Sequence, residues 1–194
     1  MQKVGLTGNI GSGKTIVARI FSQLGIPVFN ADNEARKLFD NTEVKSKMQA
    51  LFGDSVFSPS GEVMRPSVAE IVFSNPKLLD GLNKIIHPAV RERYRVWCLE
   101  QANAPYSIYE AAILFESGYH RELDKVICVT APEGLRIRRV MERDHLTKED
   151  VKRRMAYQWD ENRKVELADF VIRNDETDSV IRQVMGIHNN IMLL

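Results

Sequence analysis

Short apolar runs alternate along this chain with longer stretches in which apolar residues recur every three or four positions. Runs at Lys3 to Thr7, Pro27 to Asn30, Tyr106 to Tyr109, Lys125 to Thr130 and Phe170 to Asn174 predict strands, and each is followed by helix-like sequence. That order is the pattern of a parallel sheet wrapped on both faces, with ligands gathered at the carboxyl ends of the strands. The interval from Ala31 to Pro105 is too long for a simple crossover. It carries helical patterns at Ala35 to Phe39, Val44 to Phe52, Pro66 to Phe73 and Leu78 to Ala102, interrupted by Ser58-Pro59-Ser60-Gly61, and so predicts a helical lobe. The expected organisation is an α/β core of residues 1–31 and 105–194, with a helical lobe at 32–104. Leu6, Ile20, Leu114 and Val171 are expected in the core, and Met48, Met64 and Met192 as packing residues.

The first strand signal runs into Gly8-Asn9-Ile10-Gly11-Ser12-Gly13-Lys14-Thr15, which fits GxxxxGK[ST] at every fixed position, and the helix-prone Ile16 to Leu24 follows. In that context the motif is a phosphate-binding loop. Its glycines let successive backbone N–H groups turn toward phosphate oxygens, and the following helix adds its positive dipole end. Lys14 is expected to reach the β- and γ-phosphates of a nucleoside triphosphate and Thr15 to ligate Mg²⁺.

With 194 residues there is room for one core with insertions. A formal net charge of +1 gives no global pull toward nucleic acid or a membrane surface, and neither is expected as a partner. No apolar stretch approaches the roughly 18 residues of a spanning helix, and the N-terminus lacks a signal-peptide pattern, so a cytoplasmic protein is expected. Cys98 and Cys128 show no pair or metal-ligand spacing and are expected to be reduced and buried.

Charge is nevertheless uneven. Arg136 to Lys164 holds ten Lys and Arg against six acids, leaving 17 basic and 20 acidic residues elsewhere. Guanidinium forks stabilise the charge spread over a moving phosphoryl group when a mobile segment brings them in and excludes water. The stretch from about 136 to 164 therefore reads as a helical lid. Thr147 with Glu149 and Asp150 marks a helix start, so Arg143 would end one lid helix and Arg153 and Arg154 would ride on the next. Arg139, Arg143 and Arg154 are the candidates for phosphate contact, each against the alternative of a structural ion pair. Lys148 and Lys152 read as solvated surface.

Three carboxylates stand near predicted strand ends. Asp32 is either a base that accepts a hydroxyl proton or a helix cap. Glu110 is placed to contact Mg²⁺ through water, and Glu116 to order the lobe or contact substrate.

These motifs together resemble the dephospho-coenzyme A kinases. The likeness runs through GLTGNIGSGKT, LGIPVFNADNEAR, IIHP at 85–88, AAILFESG at 111–118, RVMERD, the Met155 to Gln158 region and ADFVIRN. It implies a three-layer P-loop kinase core with a five-stranded parallel sheet, a helical substrate-binding lobe and a helical lid. It further implies transfer of the γ-phosphoryl of ATP to the ribose 3′-hydroxyl of dephospho-coenzyme A, with ATP and dephospho-coenzyme A as the small-molecule partners and a monomer or weak homo-oligomer. By the same resemblance the acceptor-activating aspartate falls on Asp32, the phosphate lysine on Lys14 and the lid arginines on Arg139 and Arg143. His87, with Arg36 and Arg91, falls in the region that grips the acceptor. Adenine is expected to stack on Arg139 and to meet backbone near Asn174. The chain departs from the family pattern at Asn30, at Glu110 with Ala112, and at Arg136, where Asp, Asp with Pro, and Gln are usual. The nearer alternative is another P-loop nucleoside or nucleotide kinase, although no DGFPR-like or NKxD motif occurs.

Overall fold

The structure is a computed structural model and describes residues 1–193. Five parallel strands, β1 (Gln2–Thr7), β2 (Val28–Asn30), β3 (Tyr106–Glu110), β4 (Lys125–Thr130) and β5 (Phe170–Arg173), form one sheet in the order β2-β3-β1-β4-β5. Each predicted strand is present, with ends shifted by at most one residue. β1 is central, so the loop after it emerges with β3 on one side and β4 on the other, where crossovers leave in opposite directions. That is the crevice position of an open parallel sheet.

Side chains alternate across β1 as the pleat requires. Val4 and Leu6 are fully buried in a cluster with Val17, Ala18 and Phe21 of α1 (Lys14–Gln23) and with Val184, Ile187 and Ile191 of α9 (Val180–Met192). Gly5, between them, faces Leu114, Leu123 and Val126 on the opposite side. Leu114 is fully buried and Ile20 packs on the first cluster, as expected.

Contacts divide the chain into two compact units, residues 1–30 with 101–194, and residues 31–100. The second is helical: α2 (Ala31–Leu38), α3 (Thr42–Phe52) and α4 (Arg65–Ser74) pack on the long α5 (Pro76–Glu100). Leu38, Val44, Met48, Val68, Leu82, Ile86, Val90 and Tyr94 are buried there. The Ser58 to Gly61 punctuation is a turn, closed by the Ser58 carbonyl accepting from Gly61 N–H and by a Phe57–Val63 bridge.

In the first unit, α6 (Glu133–Asp144) and α7 (Lys148–Met155) pair through Ile137, Val140 and Val151, and α8 (Glu161–Leu167) follows. α7 starts with a complete capping box in which Thr147 and Asp150 satisfy each other's backbone N–H groups.

Two expectations are corrected. Cys128 is buried but Cys98 only half so, lying near the C-terminal end of α5 beyond its last buried residue, Tyr94. Met48 is buried, whereas Met64 and Met192 are exposed on the surfaces of their segments. Arg136 and Lys164, the two ends of the cationic stretch, are buried. Each ammonium or guanidinium is held by an internal acceptor, as a buried charge must be.

Candidate active site

The phosphate loop occupies the carboxyl end of β1. α1 begins at Gly13, whose φ of 97° lies in the left-handed region, and no side chain caps it. A helix start of this kind presents its orphan backbone donors to an anion. Glycine is required at Gly13 and Gly11 for space as well as conformation. A Cβ on Gly13 would collide with Asn174 Nδ2, and one on Gly11 would lie 2.5 Å from the Arg136 carbonyl oxygen. Lys14 Nζ donates to the Gly8 carbonyl oxygen at 2.7 Å, which folds its ammonium back over the loop.

Several residues singled out in the sequence converge on this loop. Asn174, at the end of β5, is buried, and its Nδ2 donates to Ser12 O at 2.8 Å. Its own carbonyl accepts from Arg139 Nη1 at 3.1 Å, and Arg139 also reaches Glu176 Oε1 at 3.3 Å. Ser12, Asn174 and Arg139 thus form one hydrogen-bonded chain from the loop to α6.

On the loop's other flank, Asn9 Nδ2 donates to Trp159 O at 3.1 Å, and Ile10 N–H donates to Gln158 Oε1 at 2.8 Å. Trp159 N–H in turn donates to Glu116 Oε1 at 2.9 Å, and the same oxygen lies 2.7 Å from Lys164 Nζ. Lys164 also donates to Ala112 O at 3.1 Å. Glu116 therefore orders the segment between α7 and α8 within its own unit, not the helical lobe. Its Oε2 is buried without a hydrogen-bond partner, as are Asn9 Oδ1 and Ser12 Oγ.

Arg143 and Arg154 meet on one carboxylate. Arg143 Nε and Nη2 bind Asp144 at 2.7 and 2.9 Å, while Arg154 Nη1 reaches Asp144 Oδ2 at 3.3 Å. The Arg143 hydrogen bonds, more than any other neighbour, hold the Asp144 carboxyl below the usual carboxylate range. Arg136 is a structural residue, donating to Ala131 O at 2.9 Å with Glu161 Oε1 at 3.5 Å. Burial raises the Glu161 carboxyl pKa and outweighs the opposing pull of Arg136.

Asn30 and Glu110 are register partners across β2 and β3, and Asn30 Nδ2 donates to Glu110 Oε2 at 2.7 Å. An amide at position 30 thus gives the buried Glu110 carboxylate a donor where a second carboxylate would repel it. The exposed Thr15 hydroxyl and the Glu110 carboxylate are hard oxygen donors. Among the described residues no group of three or more His, Cys, Asp and Glu could cage an ion. Mg²⁺ keeps water and phosphate oxygens and needs only one or two protein ligands, so this donor set suits it.

The remaining candidates belong to the helical unit. Asp32, in the first turn of α2, is exposed, and Arg36 follows it by one helical turn on the same face. His87 and Arg91 have the same spacing on α5, and burial first, then the Arg91 charge, lowers the His87 pKa.

Sequence reasoning did not single out Gln158, Trp159 or the buried role of Lys164. The Met155 to Gln158 stretch was noted only as part of a motif, and nothing local marks a glutamine as the partner of a residue 148 positions away.

A protein-family model described as dephospho-CoA kinase matches residues 2–179. A dephospho-CoA kinase of Chlorobaculum tepidum is 40% identical over 197 residues, covering 97% of this chain and 94% of the relative. A crystal structure from Thermus thermophilus matches with a TM-score of 0.87 at 33% identity, over 97% of this chain and 96% of the other. A dephospho-CoA kinase from Campylobacter jejuni matches with a TM-score of 0.70 at 27% identity, over 100% and 98%. On this sequence and structural agreement along nearly its whole length, the chain belongs to the dephospho-CoA kinase family.

Proposed function

We propose that this protein transfers the γ-phosphoryl group of ATP to the ribose 3′-hydroxyl of dephospho-CoA. The observation that carries the reading is the uncapped, glycine-started α1 at the carboxyl end of the central strand, with Lys14 folded over the same loop. The backbone N–H groups of Gly8 to Thr15 bind the triphosphate, and Lys14 supplies a point charge to the β- and γ-phosphates. Thr15 and Glu110 would hold Mg²⁺, which when bound would neutralise negative charge on the phosphates.

Asp32 accepts the proton of the attacking hydroxyl, so that the nucleophile develops as the bond to phosphorus forms. Arg36, His87 and Arg91 grip the acceptor, the helical unit serving as the acceptor lobe. Glu116 contributes through its unpartnered Oε2.

Arg139, Arg143 and Arg154 form the cationic flap. Arg143 is 62% exposed in its pair with Asp144, itself 24% exposed. Exchanging Asp144 for phosphate oxygens replaces one charge-assisted fork with another, and the closed flap excludes water that would otherwise hydrolyse ATP. Arg139, already bound at Asn174, offers a guanidinium plane to adenine next to the Asn174 backbone.

The test is a coupled assay with ATP and dephospho-CoA, compared with nucleoside monophosphates as acceptors. Asp32→Ala is expected to lower turnover by about two orders of magnitude or more while ATP binding survives. Equal turnover in variant and wild type would remove Asp32 from the role of base, and preference for a nucleoside monophosphate would overturn the substrate assignment.

A further inference from the structure

We propose that Gln158 is a positioning residue for phosphoryl transfer, holding the phosphate loop in its anion-binding shape from the segment that joins α7 to α8. The inference rests on the proposed reaction for its catalytic consequence, but its structural basis is one peptide unit. The Asn9 carbonyl and the Ile10 N–H belong to the same planar group. The carbonyl accepts from Ser12 N–H at 3.0 Å, inside the loop, and the N–H donates to Gln158 Oε1 at 2.8 Å, outside it. With both ends engaged the plane cannot rotate. The direction of the Asn9 carbonyl, and through it the seat of Ser12 N–H, is then set before any phosphate arrives. Since a backbone N–H can only donate, the Gln158 atom facing it must be the amide oxygen.

Gln158 is itself held on both sides. Its N–H donates to Met155 O at 3.0 Å at the end of α7, and the next residue, Trp159, is bound by Glu116 and by Asn9. The Ile10 side chain packs with Leu146 and Met155 on the cluster of Ile137, Val140 and Val151. The second and third residues of the loop are therefore gripped by the α6 to α8 segment, and the sheet alone does not shape the cradle. A cradle that must be reordered on binding loses affinity, and one that is misplaced by about 1 Å loses up to about 100-fold in rate.

Gln158→Met keeps the volume and removes the acceptor, while Gln158→Glu keeps an acceptor oxygen and adds a charge. In Gln158→Met we expect the dissociation constant for ADP, measured by calorimetry, and the KM for ATP to rise about tenfold or more. The KM for dephospho-CoA is expected to stay within about twofold, since the acceptor does not use the loop. The Ile10 amide proton, followed by ¹⁵N-resolved NMR, is expected to move upfield in Gln158→Met and to stay near its wild-type position in Gln158→Glu. If Gln158→Met does not fold, Gln158→Asn, one methylene shorter, carries the same expectations.

Unchanged ADP affinity and ATP KM in the variant lacking the acceptor would overturn the proposal. So would an Ile10 amide that shifts equally in Gln158→Glu, or an equal loss for both substrates. Wild-type protein that binds ADP but leaves dephospho-CoA unphosphorylated would instead refute the reaction, and the calorimetric and NMR outcomes would still judge Gln158.

Discussion

Lys164→Met should be among the most damaging single substitutions outside the phosphate loop. Lys164 has no exposed side-chain surface, and its ammonium sits 2.7 Å from Glu116 Oε1 and 3.1 Å from Ala112 O. At an effective dielectric near 20 that separation corresponds to about 6 kcal/mol of attraction, most of it offset by the cost of taking both charges out of water. Methionine keeps the apolar stem but strands the Glu116 carboxylate, only 13% exposed, with one oxygen already unpartnered. Removing one member of a buried pair costs about 3–5 kcal/mol, or roughly 10 °C in Tm for a chain of this size. Glu116→Gln alone should cost a comparable amount, because it strands the ammonium. The double variant should recover to within about 2 kcal/mol of wild type, since neither charge is then left buried alone. Urea unfolding followed by circular dichroism of all four proteins gives the coupling energy directly. A loss under about 1 kcal/mol in Lys164→Met, or a double variant as unstable as the sum of the singles, would refute the reasoning.

Two other outcomes are expected. Because burial and Arg91 place the folded His87 pKa below its ordinary 6.5, folding favours the neutral ring. The contribution of His87 is present above that value and is lost as pH falls through the lowered folded pKa, so a ring NMR titration midpoint above 6.5 would contradict it. Burial pushes the Cys128 thiol up to about 12, while Cys98 is only half-buried. Maleimide labelling of the native protein at mild alkaline pH should therefore modify Cys98 and spare Cys128 until the chain unfolds, and equal labelling by peptide mass spectrometry would be the contrary result.

The strands, the loop and the start of α7 were legible because their causes are local. An apolar run of five or six residues, a glycine with a left-handed backbone, or Thr147 three residues before Asp150 acts on its own neighbourhood whatever the rest of the chain does. The same locality made Arg143 and Arg154 visible as candidates. Their meeting on Asp144 depends on how α6 and α7 pack, which the charges themselves do not specify.

By itself, then, the sequence determined the α/β alternation, the anion-binding chemistry at Gly8 to Thr15 and, through several ordered motifs, the family. Tertiary structure alone decided the order β2-β3-β1-β4-β5, the burial of Arg136 and Lys164 within a stretch that reads as a cationic lid, and the clasp of Gln158 on Ile10. The physical reason is that backbone conformation answers to near neighbours. Packing settles whether a distant partner is found, as when Lys164 meets Ala112 O, 52 positions away, at 3.1 Å and Ile10 N–H meets Gln158 Oε1, 148 positions away, at 2.8 Å.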